Sequence, residues 1–245
     1  MKTVIIVQAR MTSRRLPGKV LRTVLNKPLL EFQIERFKRV KLADEIVIAT
    51  TINETDIPIV SLCERLSIPY YRGSEDDVLA RYWEAAKAYK ADLVVRITSD
   101  CPLIDPSVID SVIQFYLYNS NNCDYVSNVL VRSYPRGMDT EVFPFFVLDE
   151  AFQESTDKTD LEHVTPFIHR QPQRYSLANV FYTEDQSQHR WTVDTPEDFE
   201  LIKKILENLY PVNPKFSLED VLNLLKSYPE WSNINAHVEQ KKLES

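Results

Sequence analysis

Glycine is scarce in this chain. Of 245 residues only Gly18, Gly73 and Gly137 are glycine, where average usage gives about seventeen. A chain so sparing keeps glycine where the backbone demands it. All three stand in charged, loop-like segments: Leu-Pro-Gly-Lys at 16–19, Tyr-Arg-Gly-Ser-Glu-Asp-Asp at 71–77 and Pro-Arg-Gly-Met-Asp at 135–139. They read as three walls of one site. Cysteine is sparse too. Cys63, Cys101 and Cys123 are odd in number, widely spaced and without a C-x-x-C pattern, so neither a disulfide framework nor a zinc site is expected. No run approaches the roughly 18 apolar residues of a membrane-spanning helix. Met1-Lys2 leads directly into strand-like sequence, and no secretory leader is expected; the expected location is cytoplasmic. An excess of positive charge is also missing: 29 Lys and Arg stand against 36 Asp and Glu, a formal net charge of −7, which argues against a nucleic-acid partner. Repeats, low-complexity tracts and linkers are absent. The expectation is a single domain over residues 1–245, with residues 124–185 as an inserted subregion.

What is present is concentrated at the start. Val4 to Val7 is a short β-branched run that reads as a buried strand. It opens onto a loop carrying Arg10, Ser13, Arg14, Arg15, Gly18 and Lys19. Basic loops are commonly only solvated surface. Here Ser13 and the Pro17-Gly18 turn accompany the cations, and glycine lets backbone N–H groups approach a ligand closely. A loop leaving the carboxyl end of the first strand of an α/β domain is where ligands bind, and four cations in an acidic chain call for an anion. A polyphosphate fits. The loop has neither the Walker G-x-x-x-x-G-K-[ST] spacing nor the Rossmann G-x-G-x-x-G, so side chains are expected to hold the phosphates, Arg by bidentate contacts and Lys as a point charge.

Strand and helix patterns then alternate. A helix is expected over about 27–40, with Leu29, Leu30, Ile34 and Phe37 on one face, then a strand at 45–50, a helix at 56–66 and a strand at 68–71. Ser74 is expected to cap a helix running to about Lys90, with Glu75, Asp76 and Asp77 in its first turn; a ribose or substrate contact is the other reading of Asp76 and Asp77. A central strand at 92–98 ends at Ser99-Asp100-Cys101-Pro102, and Asp105-Pro106 opens the next helix. Residues 124–143 are strand-rich and aromatic. Helices at 144–153 and 159–169, strands near 175–181 and 190–193, and helices at 195–208 and 217–227 complete the pattern, with a frayed tail at 239–245. This rhythm predicts an α/β fold whose mostly parallel central sheet is sandwiched by helices.

Two strand ends carry carboxylates. Asp100 closes the central strand, and the Cys-Pro after it cannot extend a ladder. Asp194 closes Arg190-Trp191-Thr192-Val193 just before Thr195-Pro196-Glu197. Two such carboxylates suit Mg²⁺, which takes one or two protein carboxylates and fills its shell with water and phosphate oxygens. For Asp194 a helix N-cap is an equal reading. His163 either faces a substrate or is structural.

Together these segments resemble the sugar cytidylyltransferases, which include the CMP-Kdo and CMP-sialic acid synthetases. Residues 9–19, Ala-Arg-Met-Thr-Ser-Arg-Arg-Leu-Pro-Gly-Lys, match the family's A-R-x-x-S-x-R-L-P-G-K motif. The resemblance is closer to the spore coat polysaccharide branch of the SpsF type, through the phrases that begin at Gly73, Arg96 and Trp191, and it covers most of residues 1–205. It implies a GT-A-like nucleotidyltransferase using CTP and Mg²⁺. It assigns the triphosphate to Arg10, Ser13, Arg15 and Lys19, with Ala9 and Arg14 in the same loop, and the metal to Asp100 and Asp194. Gly73, Asp77 and Arg81 are the candidates around the base and ribose, and Arg15, Lys19 and Asp100 the candidate catalytic residues. Acceptor candidates are Arg96, Thr98, Arg136, Asp139, Glu141 and His163. Two positions depart from the Kdo and sialate enzymes: Thr98 stands where they carry Gln, and Arg96 where they carry a neutral residue. A modified nonulosonic acid or a phosphorylated polyol is therefore an alternative acceptor. The related enzymes dimerise through the region matching 125–146, and a homodimer is expected. Two other readings stand beside this one. A GT-A glycosyltransferase would start from a nucleotide sugar, but its second Asp after the central strand is missing at Pro102. A non-catalytic nucleotide-binding partner in polysaccharide assembly would not need Arg15, Lys19, Asp100 and Asp194 intact.

Overall fold

The computed structural model describes residues 1–239; the expected frayed tail lies, apart from Glu239, outside the described residues. The strands are β1 (Thr3–Gln8), β2 (Thr23–Val24), β3 (Lys27–Pro28), β4 (Glu45–Thr51), β5 (Tyr70–Gly73), β6 (Leu93–Thr98), β7 (Tyr125–Ser127), β8 (Glu141–Pro144) and β9 (Leu177–Asn179). The helices are α1 (Leu29–Phe37), α2 (Ile57–Leu66), α3 (Val78–Ala88), α4 (Pro106–Asn119), α5 (Phe145–Glu154), α6 (Lys158–His163), α7 (Pro166–His169), α8 (Pro196–Leu209) and α9 (Leu218–Ser227). Seven strands form one sheet in the order β5-β4-β1-β6-β8-β7-β9. Pairing is parallel from β5 to β6 and antiparallel on both sides of β8; β9 runs parallel to β7. Residues 124–185 thus supply β7, β8, β9 and α5–α7, and their strands continue the central sheet.

The alternation of β1 explains the two layers. Ile5 and Val7 pack into one core with α1, α2, α4, α8 and α9, while Val4 and Ile6 face the other with α3, α5 and α7, as the period of two in a strand requires. All four side chains are fully buried. Because β1, β4, β5 and β6 are parallel, their carboxyl ends share one edge of the sheet, and the loops that follow them meet there.

Several boundaries differ from the sequence expectation. Lys27 and Pro28 are not helical. They pair antiparallel with Thr23 and Val24 across Leu25 and Asn26, which have φ of 51° and 61°, the two positive values of a tight hairpin turn. The α3 cap is Asp77, not Ser74: the Asp77 carboxylate accepts from Ala80 N at 2.7 Å, and the Ser74 hydroxyl accepts from Asp77 N at 3.1 Å. Glu75 and Asp76 therefore precede the helix, and β5 runs on to Gly73. The helix expected at 159–169 divides at Val164, whose φ of 72° ends α6, and α7 restarts with Pro166 at its first position. Residues 190–193 form only an isolated bridge between Arg136 and Arg190. Asp105 caps α4 as expected, accepting from Ser107 N at 2.8 Å. No helix of the described residues is long and apolar enough to cross a membrane.

Candidate active site

The loop after β1 is held at both ends. Ala9 N donates to Ala49 O at 3.0 Å, and Gly18 N closes the loop onto Met11 O at 2.8 Å. Gly18 has φ of +68°, a backbone state in which most residues are strained. Leu16 and Val20 are buried and anchor the loop to the core. Its root rests on a residue the sequence reading missed: the fully buried Asp56 accepts from Met11 N at 2.8 Å and from the hydroxyls of Thr50 and Thr51 at 3.2 and 2.6 Å. In sequence Asp56 looks like an ordinary helix-start acid.

From this loop Lys19 reaches the two predicted aspartates. Its Nζ lies 3.0 Å from Asp100 Oδ2 and 2.8 Å from Asp194 Oδ1, although 81 and 175 positions separate them in the chain. Arg15 Nη2 lies 2.9 Å from Asp194 Oδ2. The Asp100 carboxylate also accepts from the Thr98 hydroxyl at 2.6 Å. Burial alone would raise the Asp100 pKa, but the Lys19 charge and these hydrogen bonds hold it well below the usual carboxylate range. Burial alone would likewise lower Lys19, and the two carboxylates push it up instead. The Lys19 ammonium and the Asp100 carboxylate are thus charged at neutral pH.

Asp194 does not cap α8. Thr195 does so, in a reciprocal capping box with Asp198, and the Asp194 carboxylate is left to the cations. It is aimed by a clamp that the sequence reading did not contain. Arg190 Nη2 lies 2.9 Å from Asp194 Oδ2, and Arg190 grips Asp198 through Nε and Nη2 at 2.9 and 3.0 Å. The spacing of four between Arg190, Asp194 and Asp198 was its only trace in the sequence. The donor set fits a divalent cation: two hard carboxylates converge on one point already held by a positive charge, and Mg²⁺ needs no more than two. Among the described residues no third His, Cys, Asp or Glu joins them.

The other predicted positions spread along the same sheet edge. Arg10 pairs with Glu75 at 3.3 Å, and Glu75 also accepts from Thr12 and Asn53. Ala9 is buried, Ser13 is half-buried and Arg14 is exposed. Gly73 ends β5, where an added Cβ would lie 3.1 Å from the Arg81 side chain. Arg81 is 1% exposed and donates to Ser74 O at 2.5 Å; burial lowers its pKa. Gly137, at φ of +102°, passes so close to Trp191 that a Cβ would lie 2.6 Å from its carbonyl oxygen. Gly18 and Gly137 therefore flank the Lys19–Asp194 cluster, and Gly73 stands two strands away from β1.

The acceptor candidates fall into two groups. Arg96 and Glu141 are register partners on β6 and β8 and form an ion pair. Glu141 also accepts from the Tyr125 and Thr165 hydroxyls at 2.5 and 2.7 Å. Burial would raise Glu141, and Arg96 brings it below its ordinary value. Asp139 is gripped by Arg132 through two bonds of 2.6 and 2.8 Å. Arg136 forms no ion pair with any described residue, and burial, then its like-charged neighbours Arg132 and Arg190, lower its pKa. His163 ends α6, half-buried.

Comparisons with known proteins bear on the family of the chain. A solved cytidylyltransferase structure from Leptospira borgpetersenii superposes with a TM-score of 0.91 at 30% identity, over 99% of both chains. The spore coat polysaccharide biosynthesis protein SpsF of Bacillus subtilis is 32% identical over 92% of this chain and 94% of its own. A 3-deoxy-manno-octulosonate cytidylyltransferase of Chloroherpeton thalassium is 36% identical over 49% of this chain and 48% of its own. The cytidylyltransferase family model matches residues 4–223, from the first residues of β1 through the Lys19 loop and Asp100 to α9, and the chain belongs to that family.

Proposed function

We propose that this cytidylyltransferase activates an anionic, sugar-acid-like acceptor by transferring CMP to it from CTP, with Mg²⁺ as the working metal. The observation that carries the reading is the meeting of Lys19, Arg15, Asp100 and Asp194 at the carboxyl edge of the sheet. An acceptor oxygen attacks the α-phosphorus of CTP, the bond to the bridging oxygen breaks, and pyrophosphate leaves. Negative charge gathers on phosphate oxygens throughout, so positioning and electrostatics carry the catalysis. Arg10, Ser13 and Arg14 hold the triphosphate, and Arg15 and Lys19 stabilise the departing pyrophosphate. Asp100 and Asp194 hold Mg²⁺, which when bound polarises the α-phosphate and lowers the pKa of the attacking hydroxyl. Gly73, Asp77 and Arg81 border the nucleoside.

For the acceptor, Arg136 is the best-placed group. It is a half-buried guanidinium with no ion pair among the described residues, and its like-charged neighbours favour an arriving anion. Thr98, Asp139 and His163 are the other acceptor candidates, while Arg96 and Glu141 already match each other's charge. The sheet ends at β9, beside exposed Val131 and Phe181, and Asn179 ties that edge to Val131 through hydrogen bonds of 3.0 Å. A second copy of the chain covering this edge makes the working unit a homodimer in the cytoplasm.

The test is thermal stabilisation by CTP, UTP, ATP, GTP and nucleotide sugars with Mg²⁺, on the wild type and on Asp100→Asn. A ligand at a hundred times its Kd adds about 2.7 kcal/mol. A CTP-selective shift weakened by the substitution, followed by acceptor-dependent pyrophosphate release, is the expected result. A shift only with nucleotide sugars, or equal shifts in both proteins, would overturn the reading.

A further inference from the structure

The segment after α9 lies beyond the residues the family model matches, yet one of its side chains enters the site. Asn235 follows a short 3-10 turn, Pro229–Asn233, and is 3% exposed. Its Nδ2 donates to Arg190 O at 2.9 Å and to Asp198 Oδ1 at 2.8 Å, so one amide nitrogen ties both members of the clamp. The segment is fastened where it lies: Trp231 stacks on Tyr228 with ring centres 4.5 Å apart, and Lys204 of α8 sits 5.5 Å from the Trp231 ring.

The clamp needs such a tie. Asp198 is fully buried and accepts from Arg190 twice, from Asn235, and from the backbone N–H of Asp194 and Thr195 at 3.0 and 3.1 Å. Asp194 stands on a stretch with only an isolated bridge, so no strand ladder fixes the direction of its carboxylate. Beside the loop cations Lys19 and Arg15, that direction is set by Asp198, which holds the Asp194 N–H, and by Arg190, which holds its Oδ2. A buried polar network of this kind keeps a single geometry only while every member is satisfied, and outer groups of this sort orient metal-binding carboxylates.

We propose that Asn235 is a positioning residue for the metal site: it locks Arg190 and Asp198 so that the Asp194 carboxylate converges with that of Asp100. The proposal rests on the assignment of Asp100 and Asp194 as holders of a divalent cation. The experiment is a Mn²⁺ titration of the full chain, metal alone, read from the electron paramagnetic resonance signal of the free ion. It compares the wild type, Asp100→Asn, Asn235→Ala and Val221→Ala, the last a core truncation in α9 that controls for lost stability. Asn235→Ala is expected to weaken Mn²⁺ binding at least fivefold, with Val221→Ala within twofold of the wild type. Asn235→Ser, which keeps one donor, is expected to fall between, and takes the place of the alanine variant if that one does not fold. Unchanged Mn²⁺ affinity in the Asn235 variant would overturn the proposal. So would equal weakening in Val221→Ala, since the effect would then be general softening. If the wild type and Asp100→Asn bind Mn²⁺ alike, the metal assignment itself fails and the proposal falls with it, a result visible before any Asn235 variant is measured.

Discussion

Two ion clusters, one across β6 and β8 and one just past the carboxyl end of β6, behave as opposites. In the first, Arg96 and Glu141 face each other across paired strands, and the Tyr125 and Thr165 hydroxyls complete the carboxylate's shell. In the second, Lys19 and Arg15 reach from a loop to Asp100 and Asp194, and the Arg15 side chain is 40% exposed. Both contain Arg or Lys beside carboxylates, and both depress a carboxyl pKa. The difference is who holds the charges in place. Strand register fixes the first pair, and its groups have nowhere else to go. The second is assembled by long side chains from a loop, which in the proposed function exchange an aspartate for a phosphate. On that reading the first cluster is a scaffold because rigid elements supply both partners, and the second is the reactive one because a loop supplies its cations.

That contrast can be broken at either cluster. The largest effect is expected from Glu141→Ala, which leaves Arg96 buried without its partner. Losing one member of a buried pair costs about 3–5 kcal/mol, roughly 10 °C in Tm for a chain of this size, and thermal unfolding measures it; a loss under about 1 kcal/mol would mean the pair is no scaffold. Lys19→Ala is expected to do the reverse, lowering turnover at least tenfold, about 1.4 kcal/mol of barrier, with a smaller change in Tm. Wild-type pyrophosphate release in that variant would remove Lys19 from the site.

The third and smallest expectation concerns pH. Asp100 has a folded pKa below its unfolded value of about 3.9. Its contribution to stability is therefore present above that value and is lost as pH falls through the folded pKa. Lys19 has a raised pKa, so its contribution is present below about 10.4 and is lost as pH climbs through the folded pKa. The stability gap between the wild type and Asp100→Asn should be constant from about pH 5 to 9 and should close in acid, where the Asp100 carboxyl is protonated in both folded and unfolded chains. Denaturant unfolding at several pH values reads this directly. A gap that widens in acid would reverse the assigned sign.

Much of the site was legible because its parts are local. The loop from Arg10 to Lys19 announces itself by four cations and a Pro-Gly turn in an acidic chain. Asp100 is marked by the strand before it and the Cys-Pro behind it, and Asp105-Pro106 by ordinary cap chemistry. The α3 cap was misplaced by three residues, since Ser74 and Asp77 are both good cap residues and only the length of β5 decides between them. The β2–β3 hairpin was missed because Leu25-Asn26 is an unusual pair for a turn with two positive φ values.

The sequence by itself determined the alternation of strands and helices, the basic loop and the two strand-end aspartates, because hydrophobic period, turn residues and charge density act over short stretches of chain. It could not tell whether Asp194 would cap α8, nor that Arg96 would be spent on Glu141. Those outcomes depend on the antiparallel placement of β8 against β6 and on Thr195 taking the cap. Only the tertiary structure decided the Arg190–Asp198–Asn235 clamp and the support of Asp56 under the loop. Each joins groups distant in the chain through hydrogen bonds whose partners are set by packing, and no local pattern encodes which buried donor will meet which carboxylate.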